Sequence, residues 1–96
     1  MGEMTRFLLP ALLLALPATA QDTIPLAEAV RLAEARFHGE VIAAEIVPGR
    51  PHERTDLVHV LCLLTPDGAV IALRFDATDG AFLEAEGRGI GAARRR

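Results

Sequence analysis

The sequence contains no tryptophan, tyrosine, serine, lysine or asparagine, and only 4% of its 96 residues are aromatic. These absences exclude three common kinds of catalysis: attack by an activated serine, Schiff-base chemistry at a lysine, and proton donation by a tyrosine. Cys62 is the single cysteine, so the chain forms no internal disulfide. Its thiol is therefore either buried and inert or available for pairing with another molecule.

Basic side chains are outnumbered, with 10 against 13 acidic ones, and the formal net charge is −3. An acidic chain binds nucleic acid poorly, so no nucleic-acid partner is expected. A hydrophobic content of 51% with 24% charged residues is typical of a folded globule. The length allows one small domain.

The N-terminal segment has the pattern of an export signal. An apolar run from Phe7 to Leu16 precedes Ala18-Thr19-Ala20, the small-x-small motif that signal peptidase accepts. We expect residues 1–20 to be a signal peptide cleaved after Ala20, which places the mature protein in the periplasm or outside the cell. The run is shorter than the about 20 apolar residues of a spanning helix, so no stable membrane span is expected after cleavage. Retention of the segment as an uncleaved anchor is the alternative.

A helix is predicted over residues 26–38, because apolar residues recur there at helical spacing. The stripe consists of Leu26, Val30, Ala33 and Phe37. Pro25 suits the first turn of this helix, and Gly39 suits a left-handed cap after it.

Beyond Gly39 the hydrophobic period changes to two, which predicts strands at 41–47, 57–64 and 69–76 and a short fourth strand at 81–85. Thr65-Pro66-Asp67-Gly68 predicts a tight hairpin with a glycine bulge, and the segment 77–80 repeats the device. The longer segment 48–56 contains two prolines and a glycine, so we expect a mobile loop there.

These elements predict an α+β domain over residues 21–86, with one amphipathic helix packed on a three- to four-stranded antiparallel sheet. Residues 87–96 are expected to form a flexible basic tail. One helix covers only one side of a small sheet. The side chains expected to face it are Ile42, Ala44 and Ile46, then His59, Leu61 and Leu63, then Ile71, Leu73 and Phe75.

The opposite side of the sheet should be polar if it meets water, yet most of its residues are apolar. Exposed apolar patches commonly mark protein interfaces, so we expect this open face to bind another protein or a second copy of the chain. The alternative is that the C-terminal segment folds back over it. The candidate binding residues are Val58, Val60, Cys62, Leu64, Val70 and Ala72.

The layout resembles a PepSY domain over about residues 24–86. The likeness rests on Ala29 and Ala33, the segment 41–46, the 65–68 turn and, above all, the final strand running into Phe75-Asp76-Ala77-Thr78-Asp79-Gly80-Ala81. The resemblance implies a non-enzymatic module that restrains a peptidase or modulates an envelope sensor. A homodimeric structural module of the periplasm is the alternative. His59 departs from the family pattern, where relatives often carry tyrosine, and so does the apolar character of the second strand.

No catalytic, cofactor or metal site is predicted. His59 and Cys62 lie three residues apart on a strand and so point to opposite faces, which makes His59 a core residue with a hydrogen bond and Cys62 an apolar filler. His38 and His52 lack the paired spacing of zinc ligands, although a chance cluster with Glu53 or Asp56 stays open. Asp67 and Asp79 are interpreted as turn formers, and Glu84 and Glu86 as solvent-exposed.

Overall fold

The computed structural model describes residues 22–95, and the predicted signal peptide lies outside the described residues. Helix α1 packs on one side of an open four-stranded antiparallel sheet, which confirms the α+β prediction. The elements are α1 (Leu26–Arg36), β1 (Glu40–Pro48), a 3-10 turn (Pro51–Glu53), β2 (Leu57–Leu64), β3 (Val70–Asp76), β4 (Phe82–Glu86) and α2 (Ile90–Ala93). Within residues 22–95 no helix combines the length and hydropathy needed to cross a bilayer.

The strands lie side by side in chain order, and each neighbouring pair is antiparallel. The hairpin between β2 and β3 follows the predicted turn chemistry. Gly68 has a φ of 86° and donates its N–H to the Thr65 carbonyl at 2.9 Å, and Thr65 donates its own N–H to the Ala69 carbonyl at 2.8 Å. The next turn also has a glycine with a positive φ, Gly80 at 80°, but this residue donates its N–H to the carbonyl four residues back, that of Asp76, at 2.8 Å.

The buried face of α1 differs from the predicted stripe. Ala29 and Ala33 are fully buried and Phe37, just after the helix, is 1% exposed, whereas Leu26 is 52% exposed. Residues spaced by four lie on one side of a helix, and two alanines there let the helix axis approach the sheet closely. Phe37 leaves the helix in an extended conformation, so α1 ends at Arg36 and not at His38.

A β-bulge between Val41 and Ala43 changes the facing of β1. Because of the extra residue, Val41 packs against the core, while Ile42 is 52% exposed. The prediction that Ile42 faces the helix is therefore wrong. Ala44 and Ile46 lie opposite Leu61 and His59, on the helix side as predicted, but Ile46 is 48% exposed because β1 is an edge strand.

The C-terminal segment is docked, in contrast to the flexible tail expected at residues 87–96. After β4 the chain forms α2, whose Ala93 is 3% exposed in the core. Arg94 forms an antiparallel bridge with Phe37, and Arg95 donates its N–H to the Arg36 carbonyl at 2.7 Å. The segment therefore packs beside the end of α1 and does not lie over the open face of the sheet.

Candidate protein-binding surface

The candidate binding residues come together on two neighbouring strands, β2 and β3, on the side of the sheet away from α1. Cys62 lies opposite Ala72, and Leu64 lies opposite Val70. Val60 lies opposite Arg74, and Val58 lies opposite Asp76. The alternation therefore brings the predicted side chains onto one face, but their surroundings differ strongly between the two ends of the strands.

Val58 is fully buried, so its place among accessible binding residues is a wrong prediction. The β1–β2 loop crosses this end of the open face. Glu53 in the loop binds the side chain of Arg74, and Thr55 binds that of Asp76, which lies opposite Val58. The β1–β2 loop, which was expected to be mobile, is thus held by side-chain hydrogen bonds and shields part of the open face from solvent.

The strongest of these loop contacts is an ion pair between Glu53 and Arg74. Arg74 donates Nε to Glu53 Oε2 at 2.6 Å and its NH2 group to Oε1 at 2.9 Å, which is the bidentate geometry that suits a guanidinium and a carboxylate. The two side chains are only 2% and 7% exposed. The hydrogen bonds from Arg74 lower the pKa of Glu53 to about 2, against the opposing effect of burial. Glu53 therefore stays ionised in the folded protein at neutral pH.

Asp76 forms a second anchor for the loop. Its Oδ1 accepts hydrogen bonds from Thr55 Oγ1 at 3.0 Å and from Thr78, through the N–H at 2.8 Å and Oγ1 at 2.6 Å. Burial raises the pKa of Asp76, but these hydrogen bonds outweigh it, and the net shift is downward. One carboxylate thus joins the loop to the start of the β3–β4 turn.

A charged cluster lies at the β4 border of the open face. Arg50 donates a hydrogen bond to Glu86 at 2.8 Å and approaches Glu84 at 3.4 Å. His52, Glu53 and Glu84 place one possible metal-ligand atom each within 4.8 Å of one another. The same carboxylates already receive hydrogen bonds from Arg50 and Arg74, so a cation would have to displace guanidinium groups. The arrangement is that of an ion-pair network.

Beyond the loop, the remaining residues form a continuous apolar surface, which we call the apolar patch. Leu64 is 36% exposed and Val70 is 51% exposed. Glu86, opposite Ala72, and Glu45, opposite Val60, place charge at its two borders. The apolar patch consists of Val60, Cys62, Leu64, Val70 and Ala72. An apolar centre with a polar rim is the common composition of a protein-binding surface.

The helix side of the sheet carries His59. The residue is 3% exposed, and its Nε2 lies 3.0 Å from the Ile24 carbonyl oxygen. Because a carbonyl only accepts, Nε2 carries the hydrogen. The prediction of a core histidine with a hydrogen bond is confirmed, and Cys62 lies on the other face, so the two side chains do not form a thiol–imidazole pair.

Asp79 has the predicted role of a turn former. Its Oδ1 accepts a hydrogen bond from the Ala81 N–H at 2.9 Å, which closes an Asx turn. No carboxylate pairing of Asp79 with Asp67 is present among the hydrogen bonds of residues 22–95. Glu86 is exposed, as expected, whereas Glu84 is only 33% exposed and is hydrogen-bonded to Arg50.

Neither composition nor periodicity predicts the Glu53–Arg74 pair, which decides how much of the open face is accessible. One signal was present: Arg74 interrupts an otherwise apolar strand at an outward position. A charged residue there needs a partner if it is buried. Its partner lies 21 residues away in a loop, and neither spacing nor periodicity identifies it.

Comparison of the chain with protein-family models, with curated proteins and with solved structures finds no match.

Proposed function

We propose that the protein is an exported, non-enzymatic binding module of the PepSY type, and that the apolar patch is where it contacts a partner protein. The observation that carries the proposal is the position of Leu64 and Val70. They lie opposite each other on β2 and β3, are partly exposed, and are covered by neither α1, the β1–β2 loop nor the docked C-terminal segment.

The energetics favour a partner that brings an apolar surface of its own. Burying apolar area contributes about 25 cal/mol per Å2, against which association costs must be set. Because the ion pair to Arg74 holds the β1–β2 loop, a partner meets a rigid border at one end of the patch. A preorganised surface loses less conformational entropy on binding than a mobile one.

The resemblance to PepSY domains suggests the class of partner, which is a peptidase or an envelope sensor. A peptidase would be restrained by a module that occupies part of its surface, and a sensor would be modulated in the same way. The non-enzymatic part of the proposal is supported by the separation of His59 from Cys62 and by the turn role of Asp79.

Substitution within the patch tests the proposal. Val70→Glu places a charge at a half-exposed position, so the fold should persist while partner contact is lost, since an unpaired charge in an apolar interface is costly. Leu26→Glu is the matched control, because Leu26 is 52% exposed on the other side of the sheet. We expect crosslinking in the producing cells to recover a partner with the wild type and with Leu26→Glu, but not with Val70→Glu. Equal recovery with all three proteins would contradict the proposal.

Self-association is the second candidate, favoured by the partly exposed Cys62 in the patch. If two patches pack together, this thiol lies near the two-fold axis. Light scattering of the wild-type protein then gives a dimer under both reducing and oxidising conditions. Under reducing conditions, the Val70→Glu variant should be a monomer. A monomer at every concentration eliminates this candidate.

A further inference from the structure

A concavity of about 490 Å3 lies beside the end of α1, on a different part of the molecule from the apolar patch. It combines arginines from distant parts of the sequence with two phenylalanines. The lining residues are Ala35, Arg36, Phe37, Phe82, Arg94 and Arg95. We call it the arginine pocket, and we propose that it binds a phosphate-bearing anion.

Backbone contacts, and not attraction between side chains, bring the arginines together. Phe37 and Arg94 form the antiparallel bridge described above, and His38 donates its N–H to the Ala93 carbonyl at 2.7 Å. Arg95 donates its N–H to the carbonyl of Arg36 at 2.7 Å. The fold therefore holds three cationic side chains around one concavity, although guanidinium groups repel one another.

Within the described part of the chain, residues 22–95, no carboxylate forms an ion pair with an arginine of the pocket. The ion pairs of arginine there involve Arg31, Arg50 and Arg74. The three pocket arginines are exposed. This concentration of positive charge stands out in a chain whose net charge is −3.

The contacts that the pocket arginines do make leave donors available. The guanidinium carbon of Arg36 lies 4.5 Å from the centroid of the Phe82 ring. Such stacking occupies a flat face of the guanidinium and does not use its in-plane N–H donors. Arg95 uses Nε to bind the Glu34 carbonyl, which leaves its two terminal nitrogens. The stacking and this hydrogen bond orient both side chains before a ligand arrives.

Charge and geometry favour phosphate over carboxylate as the ligand chemistry. A phosphate presents three acceptor oxygens and about two negative charges, which suits several guanidinium groups at once, whereas one carboxylate offers two oxygens and one charge. A soluble phosphate monoester and the phosphomonoester headgroup of phosphatidic acid share this chemistry. The experiment separates these two sources.

The test uses the purified full-length protein at low ionic strength. Inorganic phosphate is titrated while the arginine Nε–H signals are followed by NMR, with chloride at equal ionic strength as the reference. We expect saturable shifts of the Arg36, Arg94 and Arg95 signals with phosphate only. Since one charge-assisted hydrogen bond corresponds to about tenfold in affinity, Arg94→Gln should weaken binding by about tenfold or more.

Arg88→Gln is the matched control, because Arg88 is exposed and does not line the pocket. It should change the affinity by less than about twofold. Sedimentation with phosphatidic acid vesicles, compared with phosphatidylcholine vesicles, identifies the source. Selective vesicle binding that Arg94→Gln abolishes assigns the site to a lipid headgroup, whereas saturation by phosphate without selective vesicle binding assigns it to a soluble compound. NMR shifts that do not saturate with phosphate, together with no selective vesicle binding, would overturn the proposal. Equal affinities of Arg94→Gln and wild type for both phosphate and the vesicles would also overturn it.

Discussion

At the scale of single residues, the Glu53–Arg74 pair connects stability with the accessible surface. Both side chains are almost fully buried, and each satisfies the other through two hydrogen bonds. Removing one partner of such a pair leaves a buried charge without compensation, which costs more than the pair itself contributes. The pair therefore holds the β1–β2 loop over Val58 more firmly than the loop's own sequence suggests.

Glu53→Gln should lower the free energy of unfolding by about 3 kcal/mol, because Arg74 stays buried without its counter-charge. Glu34→Gln removes an exposed carboxylate of α1 and should change stability by less than about 0.5 kcal/mol. Denaturant unfolding at neutral pH measures both changes. A loss for Glu53→Gln no greater than that for Glu34→Gln would show that the pair does not anchor the loop.

The ionisation of Glu53 also decides whether stability rises or falls with pH. The pKa of Glu53 is about 2 in the folded protein and has an ordinary value of 4.5, so the unfolded chain takes up the proton first as pH falls. The stabilisation is fully present above about pH 4.5 and is lost progressively toward about pH 2. Unfolding midpoints across this window should fall less steeply for Glu53→Gln than for wild type. Parallel curves would contradict the assignment.

At the scale of elements, the strands and turns follow from the sequence because their signals are local. A short apolar run followed by turn residues places β2 at residues 57–64, and Pro66 with Gly68 specifies the hairpin turn. Two segments that were expected to be mobile are docked, because each contacts residues that are distant in sequence. The β1–β2 loop is held by side chains of β3, and the C-terminal segment is held by Phe37, so composition alone predicts mobility for both.

Close packing against β2 requires a glycine at position 39, just before β1 begins. Its φ is 145°, and a Cβ at this position would lie 2.5 Å from the Leu64 carbonyl oxygen. We expect Gly39→Ala to destabilise the fold by about 2 kcal/mol or more, because the backbone of β2 cannot move aside without disturbing its ladder. Thermal unfolding measures the change.

Gly91→Ala is the control for that substitution. Gly91 lies inside α2 and has nothing within 4 Å of the added methyl group. Alanine favours a helix over glycine by about 1 kcal/mol, so this variant should be neutral or slightly more stable. A similar loss in both variants would mean that the close approach to Leu64 does not matter.

At the scale of the whole molecule, the elements that cover each side of the sheet decide which surface is accessible to a partner. Helix α1 and the C-terminal segment build one side, and the β1–β2 loop covers one end of the other side. The sequence predicts that the open face is apolar. All five positions of the apolar patch follow from the alternation of side chains along the two strands: Val60, Cys62, Leu64, Val70 and Ala72. How far the β1–β2 loop shields this face depends on tertiary contacts, which the hydrophobic periodicity of the sequence does not predict.

Site-specific photocrosslinking in the cells that produce the protein tests whether the apolar patch contacts a partner. A photoreactive phenylalanine analogue replaces Val70 in one protein and Leu26 in another, since both positions are about half exposed. We expect a discrete crosslinked species from position 70 that disappears when Leu64→Glu is added, and none from position 26. An identical pattern from both positions, or no adduct from position 70 in the cells that produce the protein, would contradict it.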